Sequence, residues 1–216
     1  MPPYRQRRLS LFANSEWQQK NIDNTLFINY FRFSRNKNTM RRPVNRQVVL
    51  KPQDFYLLLA LVTVKGENQT YPDLAALTGL SMSEVHGALK RAEQARLLAF
   101  LDRQPRVLTP AFKEFLLHGA RYAFPAVRGG MVGGVPTAYA AAPLDKKIAP
   151  SGDPPPVWPH AEGSARGIAL MPLYPSVPAA ALRNPVLYEN LALFDALRMG
   201  NARERNLATE IFEARL

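Results

Sequence analysis

The sequence has no cysteine. That removes disulfides, thiolate metal sites and cysteine nucleophiles, and makes a reducing compartment the default expectation. Long apolar runs are missing too. The longest, Phe55 to Val64, is ten residues, against the ~20 that a bilayer-spanning helix needs, and it reads as a core helix. The opening stretch MPPYRQRRLSLFANSEW carries positive charge but neither the apolar segment nor the small-residue cleavage site of a signal peptide, so a cytoplasmic location without membrane contact is expected. Acidic residues are scarce: 17 Asp and Glu stand against 28 Lys and Arg, a formal charge of +11, which favours polyanionic partners. What is present in quantity is ordinary core material, 47% hydrophobic over 216 residues. This argues against wholesale disorder and is too short for a large multidomain enzyme.

The charge is unevenly placed. Residues 1–51 hold eleven basic residues against Glu16 and Asp23, a net of +9, and the remainder is nearly neutral at +2. Residues 1–39 are rich in Asn, Arg and aromatics with Ala13 as their lone alanine, whereas the rest is dense in Ala, Leu, Pro and Gly. The expected organisation is therefore a basic, disordered extension over 1–39; the alternative reading is a nucleic-acid arm with interleaved Phe27, Tyr30, Phe31 and Phe33. A natural start at Met40 is a further alternative and would leave +6.

Residues 40–119 punctuate as a domain. Pro52 suits a first helical turn, and Phe55, Leu58, Leu59 and Val62 give a buried stripe ending at Gly66. Thr70 with Asp73 opens a two-turn helix that leaves at Gly79, and Ser81 with Glu84 forms a capping box for a third helix with Val85, Ala88, Leu89 and Ala92 inward. Leu98–Leu101 and Arg106–Leu108 read as hairpin strands around the polar tip Asp102 to Pro105. Thr109 and Pro110 then start a helix burying Phe112, Phe115 and Leu116 and stopping at Gly119.

Two helices joined by a short turn containing Gly, followed by a basic hairpin, are the pattern of a winged helix-turn-helix. Ala75 permits close approach, Gly79 a left-handed turn, and Val85 locks the second helix on the first. With Val85 and Leu89 inward, the expected outward face of the third helix is Ser83, His86, Gly87, Lys90, Arg91 and Gln94. Ser and Gln side chains suit base edges or phosphates, Lys90 and Arg91 suit phosphates or guanine, and Gly87 allows close approach of the backbone to a duplex. Arg103 and Arg106 flank a hairpin tip suited to the minor groove or a phosphate.

The segments LAALTGLSMSEVHGALKRAEQARLLAF and LDRQPRVLTP, within residues 51–112, resemble the winged helix-turn-helix of MarR-type bacterial regulators. The resemblance implies a second motif helix, Ser81 to Gln94, in the major groove of double-stranded DNA, and the wing arginine, Arg103, in the minor groove. Phe112 stands where that family usually has a glycine, and a proline-rich stretch replaces its long dimerisation helix, so its phenolic-ligand sensing is not carried over. The C-terminal YENLALFDALRMGNARERNLATEIFEARL resembles the tail of antitoxin-type regulators that partner nucleotidyltransferase-type toxins.

Residues 120–176 combine ten prolines with the pairs Gly129-Gly130 and Gly133-Gly134, and read as irregular chain packed on the core through anchors such as Trp158 and Leu170. In 177–216, Asn184-Pro185 opens a helix with Leu187, Leu191, Phe194 and Leu197 on one face, and Asn201 caps a last helix with Leu207, Ala208, Ile211 and Phe212. The apolar faces of these two helices are the expected dimer or partner surface, unless they pack back on their own domain.

Catalytic patterns are weak. His86, His118 and His160 lack partners at metal-ligand spacing, Gly163-Ser164-Ala165-Arg166-Gly167 departs from a nucleophile elbow, and Val135 stands where a phosphate loop needs lysine. The sequence therefore predicts a mainly α fold with a small β-hairpin wing, then an irregular Pro/Gly-rich segment and two C-terminal helices. It predicts no catalytic site, metal or cofactor. The expected function is a dimeric, sequence-specific transcription regulator that binds DNA, and the alternative is an antitoxin-like protein-interaction module that uses the winged helix as a scaffold.

Overall fold

The computed structural model describes residues 47–64, 67–148 and 152–216. All but Gln47 belong to one compact unit, Val48–Leu216. The basic extension, Met40 and Gly66 lie outside the described residues.

Helix α1, Pro52–Thr63, starts on Pro52 and on a cap in which Asp54 accepts from the Lys51 backbone N–H at 2.9 Å. It is buried on every side from Asp54 through Leu61, not along a stripe alone as its apolar spacing suggests. The reason is that C-terminal helices cover the flank that the first half of the chain leaves open. Thr70, with Asp73 accepting its N–H in return, caps α2, Tyr71–Thr78, which ends at Gly79 with φ 71°; only glycine adopts this left-handed conformation without strain. Ser81 and Glu84 cap α3, Met82–Gln94, whose Val85, Ala88, Leu89 and Ala92 are buried.

Strands β1, Leu98–Leu101, and β2, Gln104–Val107, pair antiparallel. The tip is two residues, Asp102 and Arg103, with φ 48° and 65°, the primed turn that matches strand twist. The second strand thus begins earlier than its sequence suggests, with Gln104 and Pro105 inside it. Helix α4, Thr109–Glu114, has Leu108 at its cap and Thr109 within it, and it does not stop at Gly119: it continues through a π-helical turn, Phe115–Gly119, into α5, Ala120–Ala123. Gly119 serves packing there, since a Cβ would lie 2.8 Å from the Phe115 ring. That ring sits edge-on to Phe55 and Phe124.

The segment expected to be irregular is built around strands. β3, Arg128–Pro136, pairs antiparallel with both β4, Pro156–Pro159, and β5, Ala165–Leu170, while β4 and β5 pair in parallel, closing a three-stranded ring. So small a ring needs bare backbone where strands meet. A Cβ on Gly134 would stand 2.1 Å from the Trp158 carbonyl oxygen, one on Gly163 2.0 Å from the Gly134 carbonyl carbon, and one on Gly167 1.9 Å from the Pro155 oxygen. Glycine here marks backbone contact and not loop flexibility.

Three helices finish the chain: α6, Val177–Arg183; α7, Pro185–Met199, with Asn184 at its cap; and α8, Ala202–Arg215. Leu187, Leu191, Phe194 and Leu197 of α7 and Ala208 and Phe212 of α8 are buried, with the Phe194 ring 4.6 Å from Phe55. The apolar faces offered as a dimer surface are therefore spent on the chain's own core, which crosses the boundaries expected near 119 and 176. The architecture is mixed, helical with a small amount of sheet. No helix among the described residues is long and apolar enough to cross a membrane.

Candidate nucleic-acid interface

Helix α3 takes its direction from its cap and its rotation from four buried residues, which fixes what it shows outside. Ser81 is exposed and accepts from the Glu84 N–H at 3.3 Å, so its hydroxyl is occupied at the helix entrance. Ser83, His86, Lys90 and Gln94 are exposed along the outer ridge. His86 meets Tyr71, the first residue of α2, edge to face with ring centroids 5.8 Å apart.

Arg91 departs from the outward position expected of it. Its Nε and Nη2 donate to Asp54 at 2.7 and 2.6 Å, and the Asp54 side chain has no solvent exposure while Arg91 retains 24%. A buried carboxylate needs this partner, and these hydrogen bonds raise the guanidinium's affinity for its proton. Gly87 has a corresponding role: a Cβ there would lie 3.0 Å from Arg91 Nη1, so the missing side chain makes way for the arginine that crosses to α1.

The hairpin is held against the loop that leads into α2. Arg106 donates to the Glu67 carbonyl at 2.7 Å and to Asn68 Oδ1 at 2.8 Å, and the Gln69 N–H donates to Gln104 Oε1 at 3.0 Å. Arg106 thereby anchors the loop before α2. Arg103, at the exposed tip, stands clear of these bonds. Of the four cations that the sequence nominates, Lys90 and Arg103 have no hydrogen bond or ion pair among the described residues.

A contact without any local sequence signal sits at the entrance to α3. The loop after β5 crosses to the helix pair, where the Tyr174 hydroxyl donates to the Glu84 carboxylate and Ser176 Oγ donates to the Thr78 carbonyl at 2.7 Å. The Tyr174 hydrogen bond, followed by those from Ser81, holds the Glu84 carboxyl below its ordinary range, and the same bond raises the Tyr174 hydroxyl above its own. Tyr56 also donates to the Thr78 carbonyl, at 2.8 Å, and burial pushes its hydroxyl far up.

His118 and His160 lie apart from this face, and among the described residues no cluster of His, Asp and Glu suits a metal ion. No family model, no curated protein and no solved structure matches the chain.

Proposed function

We propose that the chain is a sequence-specific DNA-binding regulator, with α2, the Gly79 turn, α3 and the β1–β2 hairpin acting as a winged helix-turn-helix. The observation that carries this reading is the outer ridge of α3: Ser83, His86, Lys90 and Gln94 form a polar, exposed row on a helix capped at one end and buried along the other face. A tied hairpin presents Arg103 beside the motif. The ridge enters the major groove, with Ser83 and Gln94 toward base edges and Lys90 toward phosphate or guanine, and Arg103 reaches the minor groove or backbone. Arg91 and Arg106 hold the frame and do not contact DNA. Two copies reading half-sites about 34 Å apart would supply operator-level specificity.

Competition binding between the chain's own upstream DNA and an unrelated duplex, over a range of salt, tests this. Each phosphate contact contributes a slope of about −0.9. Lys90→Ala and Arg103→Ala are each expected to weaken binding and flatten the slope by about one unit. Undiminished binding by the double variant would remove the reading. It would favour the protein-interaction alternative, which the small number of free cations among the described residues of this face supports.

A further inference from the structure

The ring and α8 line a half-open cavity of about 650 Å3, within the range of small-molecule sites. Its walls combine apolar Ile168, Leu170 and Met199 with Arg128, Asn201 and Arg203. The polar groups are not equally committed. Glu204, also on the wall, spends its carboxylate on the cap of its own helix, accepting from Asn201 Nδ2 at 2.6 Å and from the Asn201 N–H at 3.3 Å. Asp153 is engaged in an interaction of its own. Arg128 has one long contact, 3.5 Å to the Met199 carbonyl. Arg203 has no hydrogen bond or ion pair among the described residues. Two guanidiniums with spare donors beside an apolar wall are complementary to an acidic head on an apolar body.

The same walls lead to α3. Ile168 and Leu170 belong to β5, and the residue that follows, Met171, donates its N–H to the Val127 carbonyl at 2.9 Å and accepts at its own carbonyl from Arg198 Nη2 at 2.7 Å. Val127 precedes Arg128, and Arg198 precedes Met199, so both anchors of the strap adjoin cavity residues. Three residues further on, Tyr174 holds Glu84, and Ser176 holds the Thr78 carbonyl.

We infer that this cavity is a site for a small organic anion, a carboxylate or sulfonate on an apolar body, whose occupancy is transmitted to the entrance of α3 by the strap Met171–Ser176. Its role as a regulator of DNA binding rests on the function proposed above; the site and its coupling do not. The anion bridges Arg128 and Arg203 and places its body against Ile168 and Met199. Its bound form changes the position of β5 and hence of the Tyr174 hydroxyl.

The probe is 1-anilinonaphthalene-8-sulfonate, added to the folded full chain. Saturable fluorescence is expected, displaced by octanoate and not by 1-octanol at equal concentration. The affinity of the Arg128→Gln/Arg203→Gln double variant should fall at least tenfold, and that of Arg121→Gln, a surface cation elsewhere, should be unchanged. Non-saturable binding, displacement by the neutral alcohol, or an unchanged affinity in the double variant overturns the site. Coupling is read by hydrogen exchange at the Glu84 and Val85 amides, which should change on probe binding in the parent chain and not in Tyr174→Phe. No change in the parent overturns the coupling. Because exchange requires no DNA, loss of the DNA-binding reading and loss of this site give different results.

Discussion

The two halves of the folded unit each place a buried aspartate against an arginine, and the two pairs are built for different tolerances. In the first half Asp54 of α1 takes both donors of Arg91 from α3, and the arginine keeps a quarter of its side chain in solvent. In the second half Asp195 of α7 accepts from Thr137 Oγ1, Trp158 Nε1 and Arg198 Nε, each at 2.7 Å, with Arg198 only 4% exposed. The first pair joins two helices and has a route to water. The second lies within one helix, reaches the ring side of the fold through Trp158 and the Met171 carbonyl, and has almost none. Burial of the cation, more than the number of bonds, decides what the loss of each aspartate costs.

Asp195→Ala is the largest break available. It strands a buried guanidinium, an indole N–H and a hydroxyl, and should cost about 3–5 kcal/mol in denaturant unfolding, with quenched Trp158 packing as its optical sign. Asp54→Ala should cost less, about 2 kcal/mol, because Arg91 can swing into solvent; equal losses for the two variants would mean that solvent access does not set the difference. Gly79→Ala comes next. A Cβ would be held at φ 71° and 2.9 Å from the Ser176 Cβ, and the left-handed backbone alone should cost about 1–2 kcal/mol, visible as a lower melting temperature. The smallest effect is the pH response of the α3 entrance. Glu84 has its carboxyl lowered from 4.5 in the fold, so its contribution is present above pH 4.5 and is lost as pH falls through the lower, folded value. In Tyr174→Phe the loss of amide protection at Glu84 should begin at a higher pH than in the parent, and coincident profiles would show that the hydroxyl does not hold the carboxylate.

The same division governs how much was legible in the chain. Thr70 with Asp73 and Ser81 with Glu84 are spaced three apart, and Gly79 follows directly on its helix, so the two capped helices and the turn between them are written locally and appear where expected. The ring is not written that way. Its pairs join Gly134 to Pro159 and to Ala165, and glycines that suggest loose chain are there for backbone contact. The strap is less visible still, since Tyr174 and Ser176 meet partners 90 and 98 residues away. On the candidate face, the outward row of α3 follows from its periodicity, apart from Arg91. A carboxylate at position 54 that turns buried gave no sign in the sequence that it would claim that arginine, and a Lys-Arg pair on a helix reads equally well as solvated.

The ring of β3, β4 and β5 closes through Gly134, Val157 and Ile168, which pair on both sides, while Met131 to Gly133 pair with β5 alone. An extended peptide or a second copy of the chain finds no free edge at those three residues and an open one along β3 at Met131 to Gly133. Strand-by-strand growth of the kind that leads exposed sheets to aggregate is thereby confined to the short stretches outside the closure.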